Sequence, residues 1–205
     1  MKAAQTTIGR TPASMGDNPV TPASLDEALV ERVAQGDQLA MRTLYGRHRV
    51  RVYRFIRQMV KNPATAEDLV SDVFLDVWRH AGRFEGRCLV ATWLLSIARH
   101  KALSALRKKR EDELDPDMAQ AIPDSADDPE AAIARKDRGA ALRHCLTKLS
   151  PEHREIITLV YYHERSVEEV SDIVGIPRST VKTRMFYARK RLAELLETQG
   201  YNRAA

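Results

Sequence analysis

Large apolar residues recur along this chain three and four positions apart, and nowhere do apolar and polar residues alternate for long enough to make a sheet. That spacing restricts the fold to helices packed on helices, an all-α chain. With 205 residues it can bury a core in one or two domains, and a miniprotein held together by staples is excluded. The clearest stripe is Met41, Leu44, Tyr45, His48, Val52, Phe55, Ile56 and Met59, with Arg47, Arg51, Arg54 and Arg57 largely off it. One face of that helix packs and another is basic.

Charge divides the helical sequence. The formal net charge of +5 resolves into +1 for residues 1–24, +8 for 25–110, −8 for 111–137 and +4 for 138–205. The third segment holds ten acidic residues, contains proline and is poor in large apolar side chains, so it reads as a linker without a core. Two helical units, 25–110 and 138–197, are therefore expected on a flexible acidic tether at 111–137. A disordered tail is expected at 1–24 and a short tail at 198–205. With eight residues after Glu197, no fused C-terminal regulatory domain is expected.

Local signals mark the elements. Ser24 and Glu27 make a capping box for a helix to Ala34; Gly36 can end that helix and Asp37 can cap the next. Asn62-Pro63 breaks the chain before a helix from Ala64 to His80, and Gly82 and Gly86 open a loop ahead of a helix over about Ala91 to Arg110. Ser150-Pro151-Glu152 starts a helix through about Tyr162. Ser166 and Glu169 make a capping box for a short helix to Val174, Gly175-Ile176-Pro177 turns the chain, and a longer helix runs from Arg178 to Glu197.

A short capped helix, a glycine-bearing turn and a longer helix form a helix-turn-helix. In the last helix Val181, Met185, Ala188 and Leu192 make the packed side. Ser179, Lys182, Thr183, Phe186 and Lys190 lie opposite, with Tyr187 on the flank. The second helix of such a pair enters the major groove, where Lys or Arg donates to guanine and an apolar group touches a thymine methyl. Arg184, Arg189 and Arg191 lie between the two sides, within reach of phosphates. A solvated charged face is the alternative reading of the same residues.

Cys88 and Cys145 lie too far apart for a CxxC motif, and neither they nor the six histidines have metal spacing. No cofactor or metal is expected. The N-terminus lacks the apolar run of a signal peptide and no stretch reaches the roughly 18 residues of a membrane span, so a cytoplasmic protein without membrane contact is expected. No glycine-rich phosphate loop or nucleophile motif supports an enzyme.

Residues 166–184, SVEEVSDIVGIPRSTVKTR, resemble region 4 of the bacterial sigma-70 superfamily. Upstream, residues 63–78 (PATAEDLVSDVFLDVW) resemble region 2.2, and RFEGR at 83–87 with TWLLSIAR at 92–99 resembles regions 2.3 and 2.4. Both sets stand in order with a short linker between them, which is similar to the extracytoplasmic-function, or group 4, sigma factors. The resemblance implies that 25–110 holds the −10 promoter element as single strand, that 138–197 reads the −35 element as duplex, and that both dock on core RNA polymerase at the β′ clamp and β flap. It also implies an anti-sigma factor as a regulatory partner.

Carried over position by position, the resemblance assigns polymerase contact to Glu67, Asp68, Asp72, Val73 and Phe74, with Leu69 and Val73 expected to be mostly core. The −10 strand falls to Arg83, Phe84, Arg87, Cys88, Arg99, His100 and Lys101. Opening a duplex exposes a base that needs a stacking surface and phosphates that need Lys or Arg. Trp93 reads as a core residue or as a further platform. Cys88, Val90 and His100 depart from the family's usual Ser, Phe and Asn. The −35 duplex falls to Arg178, Ser179, Thr180, Lys182, Thr183, Arg184, Phe186, Tyr187, Arg189 and Lys190. The competing function is a stand-alone helix-turn-helix regulator with a helical N-terminal domain, which would bind duplex without polymerase.

Overall fold

The computed structural model describes residues 22–60, 62–113 and 136–198. The readings of residues 1–21 as disordered, of most of 111–137 as a tether and of the last residues as a tail lie outside them. The described residues form eight α-helices and no strand. These are α1 (Pro22–Ala34), α2 (Gln38–Val60), α3 (Pro63–His80), α4 (Val90–Glu113), α5 (Lys136–Thr147), α6 (Pro151–Ile157), α7 (Val167–Val174) and α8 (Arg178–Glu197). A 3₁₀ turn, Ala81–Arg83, follows α3, and a π-helical turn, Thr158–Tyr162, follows α6.

Most expected boundaries hold to within a residue or two, because the capping chemistry is present. The Asp37 carboxylate accepts from the N–H groups of Leu39 and Ala40 at 2.8 and 3.0 Å, and Asn62 Oδ1 accepts from Thr65 N–H at 3.1 Å. The backbone bond from Ala40, with the Arg32 guanidinium, holds the Asp37 carboxyl below its usual range. One boundary differs. α1 begins at Pro22, so Ser24 lies inside the helix and is not its cap; a proline in the first turn gives up no bond that the helix needs.

The first unit is built around α2. Its apolar side buries Leu44, Val52, Phe55 and Ile56 against Val73 and Val77 of α3 and Leu94 and Leu95 of α4. α2 holds six arginines and no acid. Asp26 of α1 anchors it by accepting from Arg47 Nη1 and pairing with His48 Nε2, each at 2.8 Å. Burial pushes the His48 imidazole below its ordinary value in spite of that carboxylate.

In the second unit α5 was not foreseen as an element, although Leu142, Cys145, Leu146 and Leu149 keep helical spacing. Its end is capped from a distance: the Arg154 guanidinium donates to the carbonyl oxygens of Leu146, Thr147 and Leu149 at 2.9, 2.6 and 3.1 Å. Cys145, Leu149, Ile157, Ala188 and Leu195 close a small apolar cluster there. The two units also pack on each other. Ile156, Leu159, Val170, Ile173 and Val174 share one buried cluster with Leu94, Leu95 and Ala98 of α4.

Two residues take left-handed backbone where the helix-turn-helix begins and turns: Glu164 at φ 54° and Gly175 at φ 72°. Glycine accepts that region freely, whereas a residue with a Cβ pays roughly 1 kcal/mol or more. Glu164 is exposed. Glu164→Gly should therefore raise stability by about 1 kcal/mol, and Gly175→Ala should lower it by a similar amount. Urea denaturation of the two variants checks the opposite signs.

Candidate nucleic-acid interface

The helix-turn-helix forms as its caps dictate. Ser166 Oγ accepts from Glu169 N–H at 3.2 Å, the Glu169 carboxylate accepts from Ser166 N–H at 2.9 Å, and Ser171 Oγ donates to the Ile176 carbonyl at 2.6 Å. The first two bonds close the capping box at the start of α7, and the third ties the end of α7 to the turn that leads into α8. Val181 and Ala188 of α8 are buried and Met185 and Leu192 half-buried, as the periodicity predicts, and Leu195 is buried with them.

On the other side Arg178, Ser179, Lys182, Thr183, Phe186, Tyr187, Arg189 and Lys190 are all exposed, covering about half the helix circumference at 100° per residue. Thr180 and Arg184 are half-buried at its margins. Phe186 is 58% and Tyr187 54% exposed, and their rings meet edge to face at 5.4 Å. A folded protein rarely leaves two such rings in water without a use for them. Arg178 pairs with Glu168, whereas Lys182, Arg189 and Lys190 make no ion pair with the described residues.

The candidate −10 residues fall into two groups. Arg83 ends the 3₁₀ turn and Phe84, Arg87 and Cys88 lie on the loop between it and α4; Arg99, His100 and Lys101 lie midway along α4. Phe84 is half-buried with its ring 5.0 Å from Trp93, which itself packs against the core, so Trp93 braces Phe84 and offers little face of its own. Arg83 and His100 are exposed. The cations are otherwise matched by acids: Arg87 with Glu85 at 2.6 Å, Lys101 with Asp76 at 2.8 Å and Arg99 with Glu155 at 2.8 Å. Burial, with the charges of Asp172 and Glu169, pushes the Cys88 thiol up and keeps it protonated at neutral pH.

On α3 the partner contact carried over to Val73 and Phe74 needs correcting, while Leu69 and Val73 are core as expected. Glu67, Asp68 and Asp72 are exposed, but Val73 and Phe74 are 0% and 3% exposed and belong to the core, Phe74 meeting Tyr45 edge to face at 4.8 Å. They offer no side-chain surface to a partner. The apolar groups beside the acids are Leu75 and Trp78, at 44% and 36% exposure. At 100° per residue both fall on the arc of Glu67, Asp68 and Asp72, a projection that would have found them.

Sequence reasoning also missed Glu155 and Glu169 as partners of the first unit. Thr92 Oγ1 donates to Glu169 Oε1 at 2.6 Å, and Arg165 Nη1 donates to the same oxygen at 2.6 Å. Burial alone would push that carboxyl up; the bonds from Thr92 and Ser166 N–H and the Arg165 charge together hold it below the usual range. Among the described residues no group of three His, Cys, Asp or Glu is placed to hold a metal, and no helix is long and apolar enough to cross a membrane.

Comparison with known proteins agrees with this two-part arrangement. The family descriptions of sigma-70 region 2 and sigma-70 region 4 match residues 44–111 and 145–194. RNA polymerase sigma factor CarQ of Myxococcus xanthus is 36% identical over 175 residues, covering 82% of this chain and 95% of its own length. ECF RNA polymerase sigma factor SigK of Mycolicibacterium vanbaalenii is 32% identical, covering 82% of this chain and 86% of its own. Among solved structures, sigma factor RpoE of Bartonella quintana, in complex with the anti-sigma factor NepR, superposes with a TM-score of 0.64 at 28% identity over 76% of this chain and 96% of that one. CnrH, in complex with the cytosolic domain of CnrY, gives a TM-score of 0.63 at 24% identity, covering 85% and 98%, and shares the fold. With both regions in order and relatives matched over most of their length, the chain belongs to the sigma-70 family and, within it, to the ECF sigma factors.

Proposed function

We infer that this chain is an initiation subunit that binds core RNA polymerase, directs it to particular promoters and supports opening of the DNA. The observation that carries the reading is the exposed stripe of α8: three unpaired cations and two aromatic rings on the helix that a capped helix-turn-helix presents to a groove. The relatives' descriptions as sigma factors, across 82% of this chain, favour it over a stand-alone regulator. Such a regulator would leave the acidic and apolar face of α3 and the Phe84 loop without a role.

The residue roles follow by chemistry. The α8 stripe reads the −35 duplex, with Lys182, Arg189 and Lys190 on phosphates or guanine edges and Phe186 and Tyr187 against thymine methyls. Phe84, braced by Trp93, stacks on a base of the opened −10 strand, while Arg83, Arg87, Arg99 and Lys101 supply charge for its phosphates. Glu67, Asp68, Asp72, Leu75 and Trp78 form the mixed acidic and apolar face for the β′ clamp. The units at 25–110 and 138–197 divide this work and the acidic stretch joins them. The chain is cytoplasmic and carries out no chemistry itself; phosphoryl transfer belongs to the polymerase. An anti-sigma factor is its expected regulator, as NepR is bound to RpoE in that complex.

Run-off transcription with purified core polymerase, with and without this chain, tests the reading on a set of genomic templates. Promoter-directed transcripts that require the chain are expected. Phe84→Ala should lower permanganate reactivity of the −10 region several-fold with closed-complex binding kept, since base–aromatic stacking contributes about 1–3 kcal/mol. Equal reactivity in variant and parent would remove Phe84 from the strand.

A further inference from the structure

Arg178 stands apart from the other exposed cations of the α8 stripe. It is the first residue of the helix, and at 100° per residue it falls within about 40° of Lys182 and about 20° of Arg189. It therefore continues their row toward the N-terminal half that such a helix sets against base edges. Lys182, Arg189 and Lys190 make no ion pair with the described residues, whereas Arg178 Nη2 donates to Glu168 Oε1 of α7.

The fold does not account for that pair. The capping box of α7 is closed by Ser166 and Glu169, and Glu169 also pairs with Arg165 and accepts from Thr92. Glu168 is exposed, and among the described residues its carboxylate bonds Arg178 alone. Its charge suits the positive end of α7, but the two side chains are 60% and 63% exposed, and an ion pair so open to water adds little to stability. A carboxylate at the rim of a face that meets DNA also repels the phosphates of every sequence. Such a cost is offset only where the pair improves discrimination between sequences.

A guanidinium carries five N–H donors in a planar fork at the end of a long side chain. Unpaired, it swings between phosphates and base edges. Held at Nη2, it presents its remaining donors from one place, and a pair of parallel donors matches guanine through O6 and N7. We propose that Glu168 is a positioning residue for base reading: its carboxylate holds the Arg178 guanidinium against a guanine at one end of the −35 element and lowers the affinity of α8 for other sequences. Arg178 touches the base and Glu168 acts through it. The proposal rests on the reading of α8 as the −35 helix. Within the stripe the paired arginine supplies discrimination, and the unpaired Lys182, Arg189 and Lys190 supply most of the affinity.

Selection from a library of duplexes randomised upstream of a start site, by the full-length chain bound to core polymerase, reads base preference directly. The parent should select guanine at one position where Arg178→Lys loses about tenfold of the preference, because an ammonium keeps the charge without the fork. Glu168→Gln should lose about tenfold at the same base pair. Its affinity for an unselected duplex should meanwhile rise about threefold, with the slope of log affinity against log salt steeper by up to about 0.9. A residue that only steadied the fold would weaken all duplexes together. Asp172→Asn makes the same charge change one turn along α7, at an exposed position without a bond to Arg178, and should keep the parent's preference.

A guanine preference kept in Glu168→Gln, or lost equally in Asp172→Asn, overturns the positioning role. Loss at a different base pair from that of Arg178→Lys overturns it as well, and would make Glu168 an acceptor for cytosine N4 in its own right. Lys182→Ala separates the pair from the reading beneath it. If the profile of Lys182→Ala departs from the parent's while those of Glu168→Gln and Arg178→Lys do not, the pair fails and α8 remains the reading helix. If none of the three departs from the parent, α8 does not read the element and both fail.

Discussion

Replacing His163 by phenylalanine should make this protein more stable, and the gain should grow as the solution is acidified. His163 is 3% exposed and neither ring nitrogen has a hydrogen-bond partner among the described residues. Burial, helped by the charges of Arg51, Arg165 and Arg54, pushes its pKa down to about 4. It is therefore held neutral, with two polar atoms desolvated and unpaired, and that costs about 1–3 kcal/mol at any pH. A phenylalanine keeps the edge contact with Phe55 and carries no such atoms.

The acid dependence has a definite sign. In the unfolded chain an imidazole takes up a proton below about pH 6.5, whereas the buried one resists until about pH 4. Between those values the unfolded state binds more protons, so stability falls as pH falls, and the loss is complete below about pH 4. A depression of that size corresponds to roughly 3 kcal/mol. Carboxylates titrate in the same window, so the measurement is the difference in unfolding free energy between His163→Phe and the parent. It should widen between pH 7 and pH 4.5. A constant difference would mean that His163 finds a partner or water when it is charged.

The cause of this buried histidine lies in a backbone feature that sequence spacing does not reveal. The π-helical turn Thr158–Tyr162 closes with His163 N–H on the Thr158 carbonyl at 3.1 Å. One extra residue in a helical turn rotates everything after it by about a quarter turn. A regular 3.6-residue projection through Tyr162 therefore predicts the existence of the helix but not that His163 faces α2. The elements that were legible, such as α7 and α8, are those whose ends are set by residues at the ends themselves: the Ser166–Glu169 capping box, the left-handed Gly175 and Pro177.

For the site, legibility stopped where a residue's partner is remote in sequence. The exposed stripe of α8 follows from periodicity alone, because the opposite side of that helix supplies the buried residues. Val73 and Phe74 were assigned to a partner by similarity, although the stripe of Ala66, Leu69, Val70, Val73, Phe74 and Val77 already places them on the buried arc of α3. Periodicity was the better guide there. The Arg99–Glu155 and Thr92–Glu169 contacts span 56 and 77 positions, and neither member of either pair signals the other. Only packing of α4 against α6 and α7 brings them together.

The stripe itself carries the largest functional prediction. Lys182, Arg189 and Lys190 are exposed, lie on one side of α8 and make no ion pair with the described residues, so in the complex each is free to neutralise a phosphate. Arg184 differs, being half-buried with its charge felt by Glu152 across the unit, and it should contribute less. Each phosphate contact releases counterions worth about 0.9 in the slope of log affinity against log salt. Lys182→Ala, Arg189→Ala and Lys190→Ala combined should lower the slope for promoter duplex by about 2 to 3. At 150 mM salt the same triple variant should lose roughly a hundredfold or more in affinity, at about 1–3 kcal/mol for each contact that reaches a base edge. Binding to core polymerase in the absence of DNA should be unchanged, because the face proposed for the clamp lies on α3, away from these cations. Phe186→Ala should behave differently, weakening binding to sites with thymine at the contacted position and leaving the slope intact, since a methyl contact releases no counterion. Fluorescence anisotropy at four salt concentrations separates the two effects. A triple variant with the parent's slope would show that these cations face solvent in the complex, and the reading helix would then have to present another side to the groove.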